Sequence, residues 1–343
     1  MGLAKRLGRE GRVLVFNCHE GWVHQLSALG VPLDIVDGLP GRVTRAWDER
    51  MRPFPKNARR LTLAQALAGK GEYRCIVAHN LSDLMDAKKL PGPRILVIHT
   101  TLEYRLTQEH LGDLPPGYLD ALDQYLAWSG AHVVAVSDRK GASWGLEAPF
   151  DVVGFLADPA DYLPARGDVA AGLRVSNQFH QRRDALLVDL HERAFADVPV
   201  TIVGNNPGVP DSEPSRSWDH LKELFASHRF YVHTAASALE DGHNMSTAEA
   251  MAAGLPVLGN RHPASPIDDG VQGFLSDDPA ELAVAARLLL AEPERARAMG
   301  EAARARAEVR FGKSRFVRDF GQALERAASR WRSRRAAVVS LMA

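Results

Sequence analysis

The chain has 343 residues, 45% hydrophobic and 24% charged, which predicts a soluble globular protein of about two domains. Forty-two Lys and Arg balance forty-two Asp and Glu, so the formal net charge is +0, and nucleic acid is not expected as a partner. Two cysteines, Cys18 and Cys75, give neither a disulfide framework nor a zinc motif, so a reducing cytosol is the expected home and no metal is expected.

The N-terminus, residues 1–12, is basic, but no apolar signal core follows it, and no run approaches the length of a membrane span. Residues 12–17 read as a buried first strand. A glycine-containing loop follows at 18–22, then a helix over 23–29 ending at Gly30, then a short strand over 33–36. This is the strand–loop–helix–strand grammar of an open α/β sheet, whose ligands sit past the strand ends. Residues 37–57 are rich in Pro, Gly and Arg (Arg42, Arg45, Arg50, Arg52). They read as an irregular excursion, either a loop lining a substrate site or a solvated basic loop.

A short helix is predicted over 61–68. Residues 74–78 and 94–98 are continuous apolar runs of the kind found in parallel central strands. Each ends in a polar cluster, His79-Asn80 and His99-Thr100-Thr101, where such a sheet puts its chemistry. A histidine there can exchange a proton near neutral pH, or can simply be satisfied by backbone. An amphipathic helix over 118–129 precedes strands at 132–137 and 150–154, and Pro159, Pro164 and Gly167 mark a linker.

The pattern restarts at 172–177, the first strand of a second α/β domain. A helix over 184–195 and a strand over 199–204 follow, then a Pro/Gly/Ser loop at 205–217, a helix over 218–227 and a strand over 230–234. Helices over 279–290, 292–309 and 316–335 close the chain. The last carries Arg326, Arg330, Arg332, Arg334 and Arg335 around Trp331. That suits an anionic membrane surface, and it equally suits a solvated helix C-terminus.

The richest stretch is 239–256, LEDGHNMSTAEAMAAGLP. Two carboxylates, Glu240 and Asp241, lead into a turn, Gly242-His243-Asn244. A helix is predicted over 246–253, closed by Gly254 with Pro256 just beyond. Ser246 and Glu249 have capping-box spacing. N–H groups at a helix start favour an anion, and flanking carboxylates accept from hydroxyls, so the stretch suits a phosphorylated sugar. Each residue also has a plain reading: Glu249 as capping partner, Glu240-Asp241 as a solvated turn, His243 as a turn residue.

The stretch resembles the donor-sugar-nucleotide motif of the GT-B glycosyltransferases, in particular the large retaining family numbered 4. That motif has two acids separated by seven residues, as Asp241 and Glu249 are, and an E-A-M-A-x-G-x-P-V run, as Glu249 to Val257 supply. The family's first acid is usually Glu; here it is Asp241, with Glu240 one place before. Ser265-Pro266-Ile267, Asp268-Asp269-Gly270 and Gly273-Phe274-Leu275 match the family's later I-x-D-G-x-x-G-x-L segment.

The resemblance implies an α/β chain of the GT-B fold, two Rossmann-like doubly wound domains facing a cleft. It puts an acceptor-binding domain at 1–165, a nucleotide-sugar-binding domain at 166–320 and a helix crossing back at 321–343. It implies a retaining hexosyltransferase of carbohydrate biosynthesis, without metal or cofactor. The donor would be a nucleotide-diphosphate sugar, the acceptor a sugar, a lipid-linked or a small molecule, and the place cytoplasmic or peripheral at the inner face of the membrane.

By the same resemblance His99 lies beside the transferred sugar and Asp241 or Glu240 holds its hydroxyls. Glu249 holds the ribose, and Gly21 faces the donor phosphates. Gly242, His243, Asn244, Met245 and Ser246 line the donor. The family's Gly-Arg is replaced here by Ser176-Asn177, and Arg182, with Arg183 beside it, takes the place of its diphosphate lysine. Two rival readings share this fold: a sugar-nucleotide epimerase, and a non-catalytic binding module, which the lost Gly-Arg favours.

Overall fold

A computed structural model describes residues 8–40, 46–108 and 112–342, with the side chains of 337–342 outside that description. Arg42 and Arg45 lie outside the described residues. The chain forms two compact units, residues 1–154 with 317–343, and residues 155–316.

The first unit is built on a seven-stranded parallel sheet of β1 (Val13–Phe16), β2 (Leu33–Val36), β3 (Ala58–Leu61), β4 (Cys75–Ala78), β5 (Arg94–Ile98), β6 (His132–Ala135) and β7 (Phe150–Val152). Its order is β3-β2-β1-β4-β5-β6-β7. β1, β2, β4, β5 and β6 are buried along their whole length, as the unbroken apolar runs require of strands covered on both faces. The helices are α1 (Glu20–Gln25), α2 (Leu63–Ala68), α3 (Leu81–Asp86), α4 (Leu102–Gln108), α5 (Tyr118–Ser129) and α6 (Asp138–Ser143). Leu84, Leu96, Ile98, Leu122, Leu126 and Trp144 form one core, and Leu14, Phe16, Leu61, Tyr73 and Ile76 another.

The order reverses between β1 and β4, and a doubly wound sheet opens its ligand crevice at that point. Gly21 does not lie in a loop: it is buried in the first turn of α1. The helix starts early because the His19 ring caps it, accepting from Trp22 N–H at 3.3 Å. The described part of the 37–57 excursion is packed around Trp47 and Arg52 and solvated at Arg50. Trp47 and Arg52 are buried, Trp47 Nε1–H donates to Arg52 O, and Arg50 pairs with Asp48.

The second unit holds a five-stranded parallel sheet: β8 (Val169–Val175), β9 (Val200–Val203), β10 (His228–His233), β11 (Val257–Gly259) and β12 (Gly273–Leu275), in the order β12-β11-β10-β8-β9. α7 (Val188–Ala194), α8 (Trp218–Ser227), α9 (Met245–Ala253), α10 (Pro279–Ala291) and α11 (Pro293–Phe311) cover it. The switch point falls between β8 and β10. Met251, the neighbouring alanines of α9, Leu255 and Phe311 make one core; Phe230, Val232, Leu282 and Leu289 make another.

The last helix, α12 (Lys313–Met342), belongs to the first unit from Val317 on. Its basic residues have neighbours there. Arg326 pairs with Asp151, Arg335 with Glu72 at 2.9 Å, and Arg334 lies over the Trp128 ring; Trp331 Nε1–H donates to Glu72 at 2.8 Å. No helix among the described residues is long and apolar enough to cross a membrane.

Candidate functional site

In the second unit the site starts from a charged residue in the middle of a buried strand. Arg174 of β8 is 2% exposed, and no carboxylate among the described residues pairs with it. Its guanidinium donates to Thr234 Oγ1 at 2.8 Å, Leu186 O at 3.1 Å and His191 Nδ1 at 3.1 Å, and it stacks over the Phe179 ring. Burial pushes its pKa down to about 10 and that of His191 down to about 2, so His191 stays neutral and accepts.

This explains why the helix expected over 184–195 shrinks to α7. Leu186 O is taken by Arg174 and by Thr234 Oγ1–H at 2.6 Å, and Leu187 turns into the left-handed region with φ 47°. The residues before it form turns. Arg182 therefore sits in a turn, not at a helix start, and that turn is pinned to the end of β10.

Arg182 Nη2 donates to Glu240 Oε2 at 3.0 Å, which ties this turn to the acidic turn after β10. Glu240 Oε1 accepts from Asp241 N–H. Two histidines hold the main chain of the acidic turn. His233 Nε2–H donates to Asp241 O at 3.2 Å, and burial pushes its pKa down to about 3. His262 Nδ1 accepts from Ala264 N–H at 2.9 Å, which leaves its proton on Nε2 to donate to Glu240 O at 3.0 Å. Gly242 is required by space, since a Cβ there would lie 2.7 Å from His262 Nδ1 and 2.8 Å from Ser265 N. His243 is buried, packs edge-on to Phe155 and donates from Nδ1 to Ala264 O.

The helix that follows is capped differently from the sequence reading. Asn244, not Ser246, is the N-cap, and the capping box pairs it with Thr247: Thr247 N–H donates to Asn244 Oδ1 at 2.9 Å. Met245 and Ser246 form the first turn. Glu249 is thereby released from any capping role. It is 2% exposed, and its Oε1 accepts from Tyr162 Oη–H at 3.0 Å. Asp241, at 1%, is buried as well. Gly254 closes α9 in the left-handed region, φ 95°, as expected.

Ser176 and Asn177, at the end of β8, serve the loop after β9. Asn177 Oδ1 accepts from Asn205 N–H and Ser176 O from Asn206 Nδ2–H, both at 2.8 Å. The Ser176 hydroxyl is buried with no partner among the described residues. Arg183 is apart from Arg182: it pairs with Asp189 and with Glu192 on α7.

The first unit brings a different set together at its own switch point. His79 follows β4 and His99 follows β5; His79 Nδ1 and His99 Nε2 are hydrogen-bonded at 2.8 Å. Both rings meet the Trp22 ring edge-on, with centroids 4.8 and 5.1 Å away. Burial pushes His79 down to about 3 and His99 well below the ordinary histidine value, so both are neutral. Cys18 completes the group, and one ligand atom from each of the three lies within 4.8 Å of the others. Burial, then the charges of Asp83 and Glu20, push its thiol up, so it is protonated. Among the described residues this is the group that could hold a soft divalent metal, at the cost of that proton.

Comparison with known proteins places this architecture. Residues 182–319 match the model of a family described as glycosyl transferase-like. The solved sucrose-phosphate synthase of Thermosynechococcus elongatus is similar at 14% identity and a TM-score of 0.66, over 91% of this chain and 98% of that one. Anabaena HepE, solved in complex with UDP and glucose, is similar at 15% identity and 0.64, over 91% and 99%. WaaG, a glycosyltransferase involved in lipopolysaccharide biosynthesis, is similar at 15% and 0.59, over 91% and 98%. No curated protein sequence matches. The chain has the GT-B fold of these solved glycosyltransferases, and its residues 182–319 match the glycosyl transferase-like family.

In this GT-B chain the sequence reading missed Arg174, Thr234, His233, His262 and Tyr162. One signal was visible: an arginine inside an apolar strand must be satisfied by something specific. The two histidines and Tyr162 carry no such signal, because their partners are backbone carbonyls and a side chain distant in sequence.

Proposed function

We propose that the protein transfers a hexose from a nucleotide-diphosphate sugar to an acceptor hydroxyl, with retention of anomeric configuration and without a metal. The observation that carries this reading is the Arg182–Glu240–Asp241 arrangement ahead of the α9 N-terminus, held by neutral His233 and His262. A guanidinium and the N–H groups of a helix start are groups that suit a diphosphate, and carboxylates accept from sugar hydroxyls, which supports the reading. HepE, of the same fold, is described with UDP-glucose bound.

Glu240 is engaged by Arg182, so Asp241 is the acid assigned to the sugar. Glu249, oriented by Tyr162, is assigned to the ribose, and the Ser176 hydroxyl to a donor oxygen. Arg182 and the helix start stabilise the charge that grows on the leaving nucleoside diphosphate. His99, neutral and at a strand end of the first unit, is assigned to the transferred sugar. The acceptor belongs to the first unit.

A non-catalytic binding module is the second reading, favoured by Asn177 being spent on the 205 loop where the family has an arginine. The test is a panel of nucleotide sugars followed by thermal shift and by nucleoside diphosphate release. Release that depends on an acceptor, with one sugar preferred, supports the transferase. Stabilisation with no release over a broad acceptor panel supports the module. An isomerised free donor would mean an epimerase instead.

A further inference from the structure

Beside His99 the first unit holds a cavity of about 180 Å³. Its buried walls are Leu96 and Ile98 of β5, Leu122 of α5 and Trp144. Its half-buried lining includes His79, His99, Arg105 and Tyr118. An apolar cavity of about 150 Å³ accepts a benzene ring, so this one has room for a six-membered ring with a small substituent.

The lining also has polarity at defined places. Trp144 is fixed by its Nε1–H donating to Thr100 O at 3.0 Å, and the Arg105 guanidinium lies 5.6 Å from the Trp144 ring centroid. A cation over an aromatic wall suits a flat anionic ligand, which gains both the ring face and the charge. His79 occupies His99 Nε2, so Nδ1 is the nitrogen a ligand hydroxyl would meet. Walls of Leu, Ile and Trp offer the hydroxyls of a plain hexose few partners.

We propose that this cavity is the acceptor site, and that the acceptor is a small hydroxylated aromatic acid. Its ring lies among Leu96, Leu122 and Trp144, its carboxylate faces Arg105 and its hydroxyl faces His99. The inference rests on the transferase reading for the reaction but not for the binding. In the reaction the ring hydroxyl oxygen bonds to the anomeric carbon of the donor sugar. The sugar–phosphate bond breaks, the nucleoside diphosphate leaves with the electron pair, and the hydroxyl proton passes to it.

The test is calorimetric binding of para-hydroxybenzoate, phenol and glucose to the full chain without donor, with UDP titrated separately as the readout of the second unit. The expected order is para-hydroxybenzoate tightest, phenol weaker, glucose undetected. Leu122→Phe fills the cavity and should weaken the aromatic ligands about tenfold or more, raise the melting temperature and leave UDP binding unchanged. Leu96→Phe, which fills the cavity from β5, serves if that variant fails to fold. Arg105→Met should weaken para-hydroxybenzoate but not phenol. Glucose binding as tightly as the aromatics, or aromatic binding unmoved by filling the cavity, overturns the proposal. Aromatic binding as expected with no binding of UDP or any nucleotide sugar would keep the cavity assignment and sink the transferase reading instead.

Discussion

The two sheets use the same place for opposite chemistry. Each opens at its switch point, between β1 and β4 in the first unit and between β8 and β10 in the second. The first fills that point with neutral groups: a protonated thiol and two histidines pushed far below their usual range by burial. The second fills it with formal charges, Arg174, Arg182, Glu240 and Asp241. The difference follows from compensation. In the second unit Arg174 is answered by a hydroxyl and a carbonyl and Arg182 by the opposite charge of Glu240, so ionised groups persist under cover. In the first unit Cys18 and the histidines have no opposite charge that favours their ionised forms enough to outweigh burial, so neutrality is the cheaper state. Charge suits a diphosphate, and neutral, partly apolar surroundings suit an acceptor.

The sharpest way to break this contrast is Arg174→Ala. It takes the guanidinium donor away from His191 Nδ1 and Thr234 O in the interior and leaves Leu186 O with Thr234 Oγ1–H alone. The expected loss of stability is about 3 kcal/mol or more, read by urea denaturation, together with weaker nucleotide binding because the Arg182 turn loses its anchor. A loss within error of zero would mean that the buried guanidinium is incidental.

Arg182→Met acts on function more than on fold. Turnover should fall on the order of a hundredfold and UDP affinity with it, while aromatic ligands of the first unit bind as before. If both kinds of ligand weaken together, the units are not independent in the way the contrast requires.

Acid pH should expose the neutral histidines of both units. The unfolded chain binds a proton at each near pH 6.5, whereas His79 and His233 resist until about pH 3. Between those limits the unfolded state holds more protons, so stability falls as pH falls from 6.5 toward 3 and is fully present above 6.5. Each histidine is expected to cost about 2 kcal/mol at pH 5. Denaturation curves at pH 7.5 and 5.0 check this, and His79→Gln should flatten the dependence.

The smallest effect is the helix start. Asn244→Ala should cost about 1 kcal/mol, whereas Ser246→Ala should cost little, because Ser246 is not the cap.

Much of the architecture could be read without coordinates. The apolar runs at 74–78 and 94–98 became β4 and β5 within one residue, because a strand buried on both faces tolerates little else. The helix at 218–227 fell where Ser217 caps it. The cap of α9 was misplaced because Asn244-x-x-Thr247 and Ser246-x-x-Glu249 overlap, and spacing does not say which pair closes. α7 was drawn too long because no local rule announces that a distant arginine will take the carbonyl of Leu186.

What the chain's order of residues settles is local: which runs are buried, where Gly254 ends a helix, and that acids and a glycine turn precede α9. These follow from short-range sterics and from the need to hide apolar surface. What needed the folded molecule is every pairing across the sheet: Arg182 with Glu240, 58 positions apart, Tyr162 with Glu249, 87 apart, and His79 with His99, 20 apart. A parallel sheet gathers the ends of strands that are far apart in sequence. The chemistry at its switch points is therefore a product of topology, and the sequence carries its parts without their arrangement.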